Sequence, residues 1–282
     1  MDGGQVLRAV MDRLPTIRCR SVLHIGPVDT ALNSGFATSS SHVVVVHPSE
    51  ACTLQLEQRF EMVVIGVGLL ADADAGQQRA IMHSALQHIG RSGHLVILHD
   101  CTQPALADSF WADDLQLIES SPFEHGWLSL YRRGDRLTVH DLLFEARAVI
   151  RRVTPAQLHH GLQSVDPPLV LDTRTHTDRG RFGVIPGAVH VPRTVLEWHF
   201  DPANGYLHPA MRSFDQPLVL VCNGGYSSSL AAANLVKIGF TDVADLIGGH
   251  TAWAAAGLPV GRADHSHLDT PGFDDGEVSA ER

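Results

Sequence analysis

The chain is poor in lysine, in cysteine and in long apolar runs, and each shortage closes off a class of function. Lysine occurs once, as Lys237, and all basic residues together number 21 against 31 acids, a formal net charge of −10. Without a basic surface there is no electrostatic footprint for non-specific nucleic-acid binding; arginine in place of lysine reads as codon bias. Four cysteines, Cys19, Cys52, Cys101 and Cys222, lie far apart with no CxxC pair, so neither a disulfide framework nor a zinc-knuckle spacing is present. No run approaches the roughly 20 apolar residues of a membrane helix. Charges break up the opening MDGGQVLRAVMDR, so no signal peptide is expected. The expectation is a soluble cytoplasmic protein with free thiols and with neither membrane nor nucleic acid as a partner.

What is present suits globular folding. Hydrophobic residues make up 44% and charged ones 18% of 282 residues, enough for one large or two small cores. In the first part, Ser21 to Gly26, Val43 to Val46, Met62 to Val67 and His94 to Leu98 are short, β-branched, non-alternating runs, the pattern of strands buried on both faces of a parallel sheet. Gln77 to Ile89 carries apolar residues at helical spacing before a glycine-rich stop, and Leu115 to Glu119 with Trp127 to Arg132 predicts an antiparallel hairpin. After a polar join at Arg133 to Leu137 a second alternation begins. It comprises a helix over Val139 to Arg151, a helix start at Thr154-Pro155, strands at Leu169 to Leu171, Ala188 to Val191, Leu218 to Val221 and Val243 to Ile247, and helices at Ser228 to Ile238 and Ala252 to Ala256. The fold class expected is α/β: a Rossmann-like open sheet over 1–135, then a parallel-sheet domain over 137–263. The tail 264–282 carries six acids against Arg282, a composition that predicts disorder.

The most informative segment is Leu218 to Leu230, LVLVCNGGYSSSL. An apolar strand runs into Cys222, two glycines follow, and a helix opens at the serines. The glycines let successive amides turn into one concavity, and the helix N-terminus adds partial positive charge there. A thiol so placed is pushed toward thiolate, the form that acts as nucleophile. Four motifs in order then resemble the rhodanese family over Val139 to Val260: Leu171-Asp172-Thr173-Arg174, Gly183-Val184-Ile185-Pro186-Gly187-Ala188, the six-residue loop Cys222 to Ser227, and Gly248-Gly249-His250-Thr251-Ala252-Trp253.

The resemblance implies a sulfurtransferase. Cys222 would take sulfane sulfur from a donor such as thiosulfate, hold it as a persulfide, and pass it to a thiophilic acceptor such as cyanide or a protein thiol. Asn223, Gly224, Gly225, Tyr226, Ser227 and Ser228 form the binding loop. Asp172, Arg174, Arg181 and Arg193 are the supporting residues, Asp172 fixing Arg174 and the loop and the arginines supplying positive charge. Positions 223 and 224, basic or imidazole in many catalytic relatives, are uncharged here, so weak thiosulfate activity is expected. A phosphatase is set aside because Ser228 stands six residues after the cysteine, where that chemistry needs an arginine. The rival from another class is a non-catalytic rhodanese-like module that senses sulfur or binds a protein.

Ser21 to Arg133 resembles a shortened class I S-adenosylmethionine-dependent methyltransferase, with Val22-Leu23-His24-Ile25-Gly26 as first strand and loop. The loop His24-Ile25-Gly26-Pro27-Val28 lacks the family's acid and glycines, and the second strand ends in His47-Pro48 with Glu50 offset. Pro27 removes an amide and the missing glycines block close approach to a cofactor. No cofactor is therefore expected, S-adenosylmethionine included, and this half is read as a degenerate domain used in dimerisation or partner docking. His83, His88, His94 and His99 straddle a helix and a strand without carboxylates at set spacing and are read as satisfied or surface histidines; no metal is expected. Asp100 and Cys101 fall where open α/β sheets bind ligands.

Overall fold

The computed structural model describes residues 20–26, 42–52, 54, 56, 58–99, 114–123 and 126–263. Cys19, Pro27, Val28, Asp100, Cys101 and the acidic tail lie outside the described residues. The chain divides into two compact units, Met1–Phe144 and Glu145–Arg282.

In the first unit, β1 (Ser21–Ile25), β2 (His42–Val46), β3 (Phe60–Ile65), α1 (Ala75–His88), β4 (Ile89–His99), β5 (Leu115–Phe123) and β6 (Gly126–Arg133) follow one another. The sheet order is β2-β1-β3-β4-β6-β5. The first four strands are parallel, and β6 then pairs antiparallel with both β4 and β5. An open parallel sheet closed by a hairpin is the topology implied by the methyltransferase resemblance. Leu23, Ile25, Val63, Ile65, Leu95 and Ile97 are buried on one face against Ile81, Met82 and Ala85 of α1. Asp74 starts α1 with a capping box. Its carboxylate accepts from the Gly76 and Gln77 amides while the Gln77 side chain accepts from its own, satisfying donors the helix cannot pair internally.

Two extents differ from the sequence reading. β4 starts at Ile89 without the glycine-rich stop, because Gly90 and Gly93 continue the strand beside β3 across a register shift between Phe60 and Met62. β5 runs on through Pro122, which an outermost strand tolerates because only one of its two edges is paired.

α2 (Val139–Val149) spans the division between the units. Its start is fixed in the first unit, where the Asp141 carboxylate accepts from the Thr138 amide and hydroxyl and from Arg133. Burial pushes that carboxyl up, but the hydrogen bonds from Arg133 and Thr138 more than offset it and hold it well below the usual carboxylate range.

The second unit contains β7 (Arg151–Val153), α3 (Pro155–Gly161), β8 (Leu169–Asp172), α4 (His176–Phe182), β9 (Val189–His190), α5 (Leu196–Phe200), β10 (Leu218–Val221), α6 (Ser227–Lys237), β11 (Val243–Leu246) and α7 (Gly249–Ala255). Its five strands are all parallel in the order β7-β11-β10-β8-β9. β10 lies at the centre and buries both faces. Leu218 and Leu220 meet Ala231, Ala232 and Leu235 of α6, while Val219 and Val221 meet Leu158 of α3 and Trp253 of α7. α3 begins as expected at Thr154, whose hydroxyl accepts from the Gln157 amide, with Pro155 in the first turn.

Several short elements depart from the expectation. The segment after β8, where the sequence analysis places no element, holds α4, started by Thr175 and Asp178. The irregular stretch before β10 holds α5. The helix expected from Ala252 starts instead at Gly249. Residues Arg151–Val153, which begin at the expected end of a helix, are the edge strand β7, drawn out by pairing with β11 and by the Arg152–Asp245 ion pair at 2.9 Å.

Candidate functional site

β10 delivers Cys222 to the carboxyl edge of its sheet, and the chain then turns through Asn223, Gly224, Gly225 and Tyr226 into α6. The turn curls because Gly225 takes a left-handed φ of 73°, where a Cβ would lie 2.7 Å from the Gly248 nitrogen. The outward side of the loop is held by the start of α7: the His250 amide donates to the Cys222 carbonyl at 2.8 Å and the Thr251 amide to the Asn223 carbonyl at 3.0 Å. Gly249, at φ 59°, brings these strands of backbone together; a side chain there would strike the Cys222 and Asn223 carbonyl oxygens. With its carbonyls occupied from behind, the loop turns its amides toward the sulfur.

The Cys222 Sγ accepts from the Gly225 amide at 3.1 Å and lies 3.1 Å from the Ser228 hydroxyl. The residue is free and 6% exposed. Burial pushes the thiol pKa up, yet hydrogen bonds from the Ser227 and Ser228 hydroxyls and from the Ser228 and Tyr226 amides outweigh it, and the net displacement is downward. A sulfur ringed by donors is a site for an anion on sulfur.

Around this loop the sequence-predicted residues take distinct positions. Asp172 lies in register with Val221 at the end of the neighbouring strand. Its carboxylate binds Arg174 through both oxygens, at 2.9 and 2.7 Å, and Arg179 at 3.3 Å. Arg174 also donates to the Gly183 carbonyl at 2.8 Å, which ties β8 to the Gly183–Ala188 segment. Asn223 donates from its side chain to Asp178 of α4 at 3.0 Å. Tyr226 is half exposed. Arg181 is exposed on α4 with its guanidinium over the Phe182 ring, and Arg193 donates to Glu197 at 2.9 Å. The loop, Asp172 and Arg174 are thus brought together at adjacent strand ends, whereas the contacts of Arg181 and Arg193 are with Phe182 and Glu197.

Three neighbours of the loop were not anticipated. Arg147, on α2, donates to the Gly225 carbonyl at 3.0 Å and lies 5.7 Å above the Tyr226 ring. The Ser229 hydroxyl donates to the fully buried Asp245 at 2.5 Å and lies 3.3 Å from the Gly225 carbonyl. Asp178 anchors Asn223. Only Asp178 carried a local signal, the Thr175-x-x-Asp178 helix start.

In the first unit, His88 is buried and satisfied: Nε2 accepts from the Leu56 amide at 3.0 Å and Nδ1 bonds the Ser84 carbonyl at 2.6 Å. His83 meets His140 edge-on, His94 is half-buried and His99 buried. Among the described residues no group of three or more His, Cys, Asp or Glu side chains is placed to hold a metal ion. Gly26 spends its amide on the Val46 carbonyl at 3.0 Å, and a Cβ on it would meet the Gly66 Cα at 3.1 Å. A cavity of about 330 Å³ opens near the ends of β2 and β3, lined in part by Cys52, Asp72 and Gln77. No described helix is long and apolar enough to cross a membrane.

A family model for the rhodanese-like domain matches residues 154–256. A sulfurtransferase of Allochromatium vinosum is 30% identical over 112 residues, 40% of this chain and 95% of that protein. The thiosulfate sulfurtransferase GlpE of Pseudoalteromonas translucida is 53% identical over 45 residues, 16% of this chain and 43% of its own. The chain thus spans less than half the length of the GlpE relatives it matches. Among solved structures, the N-methyltransferase NodS of Bradyrhizobium japonicum is 13% identical, with a TM-score of 0.40, covering 45% of this chain and 84% of that one. By the near-complete match to the Allochromatium protein and the domain match over 154–256, the chain belongs, through its second unit, to the rhodanese-like sulfurtransferase family.

Proposed function

We propose that Cys222 is the sulfur carrier of a two-step transfer. In the first step the Cys222 thiolate attacks the outer sulfur of an anionic sulfane donor such as thiosulfate. A sulfur–sulfur bond forms to Cys222 as the donor's own sulfur–sulfur bond breaks; sulfite leaves with that bond's electron pair, and Cys222 is left as a persulfide anion. In the second step an acceptor, cyanide or a thiolate of a small molecule or protein, attacks the outer sulfur of the persulfide and returns Cys222 to thiolate. No net oxidant or reductant is needed, since the sulfur moves with its six valence electrons between nucleophiles.

The single observation that carries this reading is the sulfur's surroundings: one amide at 3.1 Å, a hydroxyl at 3.1 Å, and a thiol pKa lowered despite burial. The same donors serve the persulfide anion and the charge that develops during attack. Asp172, Arg174 and Asp178 position the loop: the first two as a buried ion pair at the adjoining strand end, the third through Asn223. The uncharged Asn223 and Gly224, with the Asp178 carboxylate beside them, do little to attract a dianion, so thiosulfate turnover is expected to be slow relative to a protein-bound or neutral sulfur source.

Exposure of the whole chain to a sulfane donor, followed by persulfide labelling and peptide mapping, tests this. Label on Cys222 that is lost in Cys222→Ser supports the assignment. Label that persists in that variant, on Cys19, Cys52 or Cys101, overturns it.

A further inference from the structure

Arg147 lies outside the segment 154–256 matched by the family model, on a helix that the second unit shares with the first. Its guanidinium nevertheless reaches the sulfur-binding loop, 78 residues further along, and donates to the Gly225 carbonyl at 3.0 Å. That carbonyl belongs to the residue whose own amide donates to the Cys222 sulfur at 3.1 Å, and to the peptide group whose other end is the Tyr226 N–H. The Ser229 hydroxyl, which donates to Asp245, lies 3.3 Å from the same carbonyl. A cation on the oxygen of a peptide group draws electron density from its nitrogen and makes the N–H a stronger donor, an effect that grows in a poorly solvated interior.

We propose that Arg147 is a positioning residue for Cys222, holding the carbonyl of Gly225 so that the Gly225 amide and the Gly225–Tyr226 peptide stay turned toward the sulfur anion. The inference rests on the sulfur-carrier reading for its purpose, but its physical content is the ionisation of one thiol. Other charged groups around the loop come as opposed pairs, Arg174 on Asp172 and Arg152 on Asp245, with Asp178 taking the Asn223 amide. His250 is buried at the start of α7, and burial foremost, with Arg174 adding to it, lowers its pKa and favours the neutral ring. Arg147 brings its guanidinium to the loop backbone itself. The guanidinium carbon also lies 5.7 Å from the Tyr226 ring centroid, a cation–π contact with a second residue of the loop.

The test is the pH profile of Cys222 alkylation by iodoacetamide in the whole 282-residue chain, read by peptide mapping, for the wild type, Arg147→Met and Arg147→Gln. The expected result is an upward move of the midpoint by about half a unit or more in Arg147→Met, so that below the wild-type midpoint alkylation slows about threefold. Arg147→Gln, which keeps a donor for the Gly225 carbonyl without the charge, is expected to fall between. Profiles that superimpose on the wild type in whichever variant folds, judged by near-ultraviolet circular dichroism, overturn the proposal. A merely structural role would lower the melting temperature and leave the midpoint in place. Because alkylation is read without any sulfur donor, absence of persulfide on the wild-type protein would sink the sulfur-carrier reading and leave the effect of Arg147 on the thiol still measurable.

Discussion

At the scale of single residues, the loop depends on backbone that only glycine accepts. Gly249 sits at φ 59° with the Cys222 and Asn223 carbonyls directly in the path of any side chain. Gly249→Ala is therefore expected to destabilise the second unit by about 2 kcal/mol, through left-handed strain and displaced carbonyls together, read as a lower denaturant midpoint. The displaced loop should also raise the alkylation midpoint of Cys222, since the amides that lower its pKa move away. An unchanged midpoint and stability would show that the α7 start can yield without disturbing the sulfur. Of the residues involved, Cys222 and the glycines were legible in the sequence because strand, cysteine, glycine pair and helix follow one another without interruption. Arg147 was not, because its partner lies 78 residues away and nothing in EARAV distinguishes one arginine on a helix from another.

At the scale of elements, what was legible depended on length and apolar content. β1, β3, β8, β10, β11 and α6 were read to within a residue or two, since each either buries both faces or repeats apolar residues over several turns. α4 and α5 were missed because seven and five residues are too few to display a helical period. α4 is set mainly by its Thr175–Asp178 cap, and β7 by a partner strand and an ion pair that no local pattern announces. The α1–β4 junction carries a pH-sensitive joint. His88 bonds the Leu56 amide through Nε2, which requires the neutral ring, and burial foremost lowers its pKa below the ordinary 6.5. A depressed pKa in the folded state means that the unfolded chain binds the proton more readily. The stabilising contribution is present above pH 6.5 and is lost as the pH falls through the lower folded value. The first unit is expected to melt at progressively lower temperature as pH drops from 7.5 toward 5.5, and His88→Gln to flatten that slope while lowering stability at the upper end. Parallel slopes for variant and wild type would assign the acid sensitivity to other groups.

At the scale of the whole molecule, the two units divide the chemistry unevenly. The second unit holds the thiol and its donors. In the first, the Gly26 amide is already engaged by Val46, and the chain beyond β2 is committed to a short turn in which His47 accepts from the Ser49 amide. Isothermal titration of the intact chain with S-adenosylmethionine is expected to give no saturable heat at micromolar concentrations; saturation in that range would assign a cofactor role to this unit. The placement of β7 has a practical corollary for anyone cutting genes to recognisable borders. A fragment starting at residue 154 would discard the outer rail of the parallel sheet together with Arg147, leaving the Val243–Leu246 backbone as a bare edge open to pairing with other molecules. Such a fragment would be prone to self-association for reasons unrelated to its thiol, and its silence in an assay would say nothing about the intact chain.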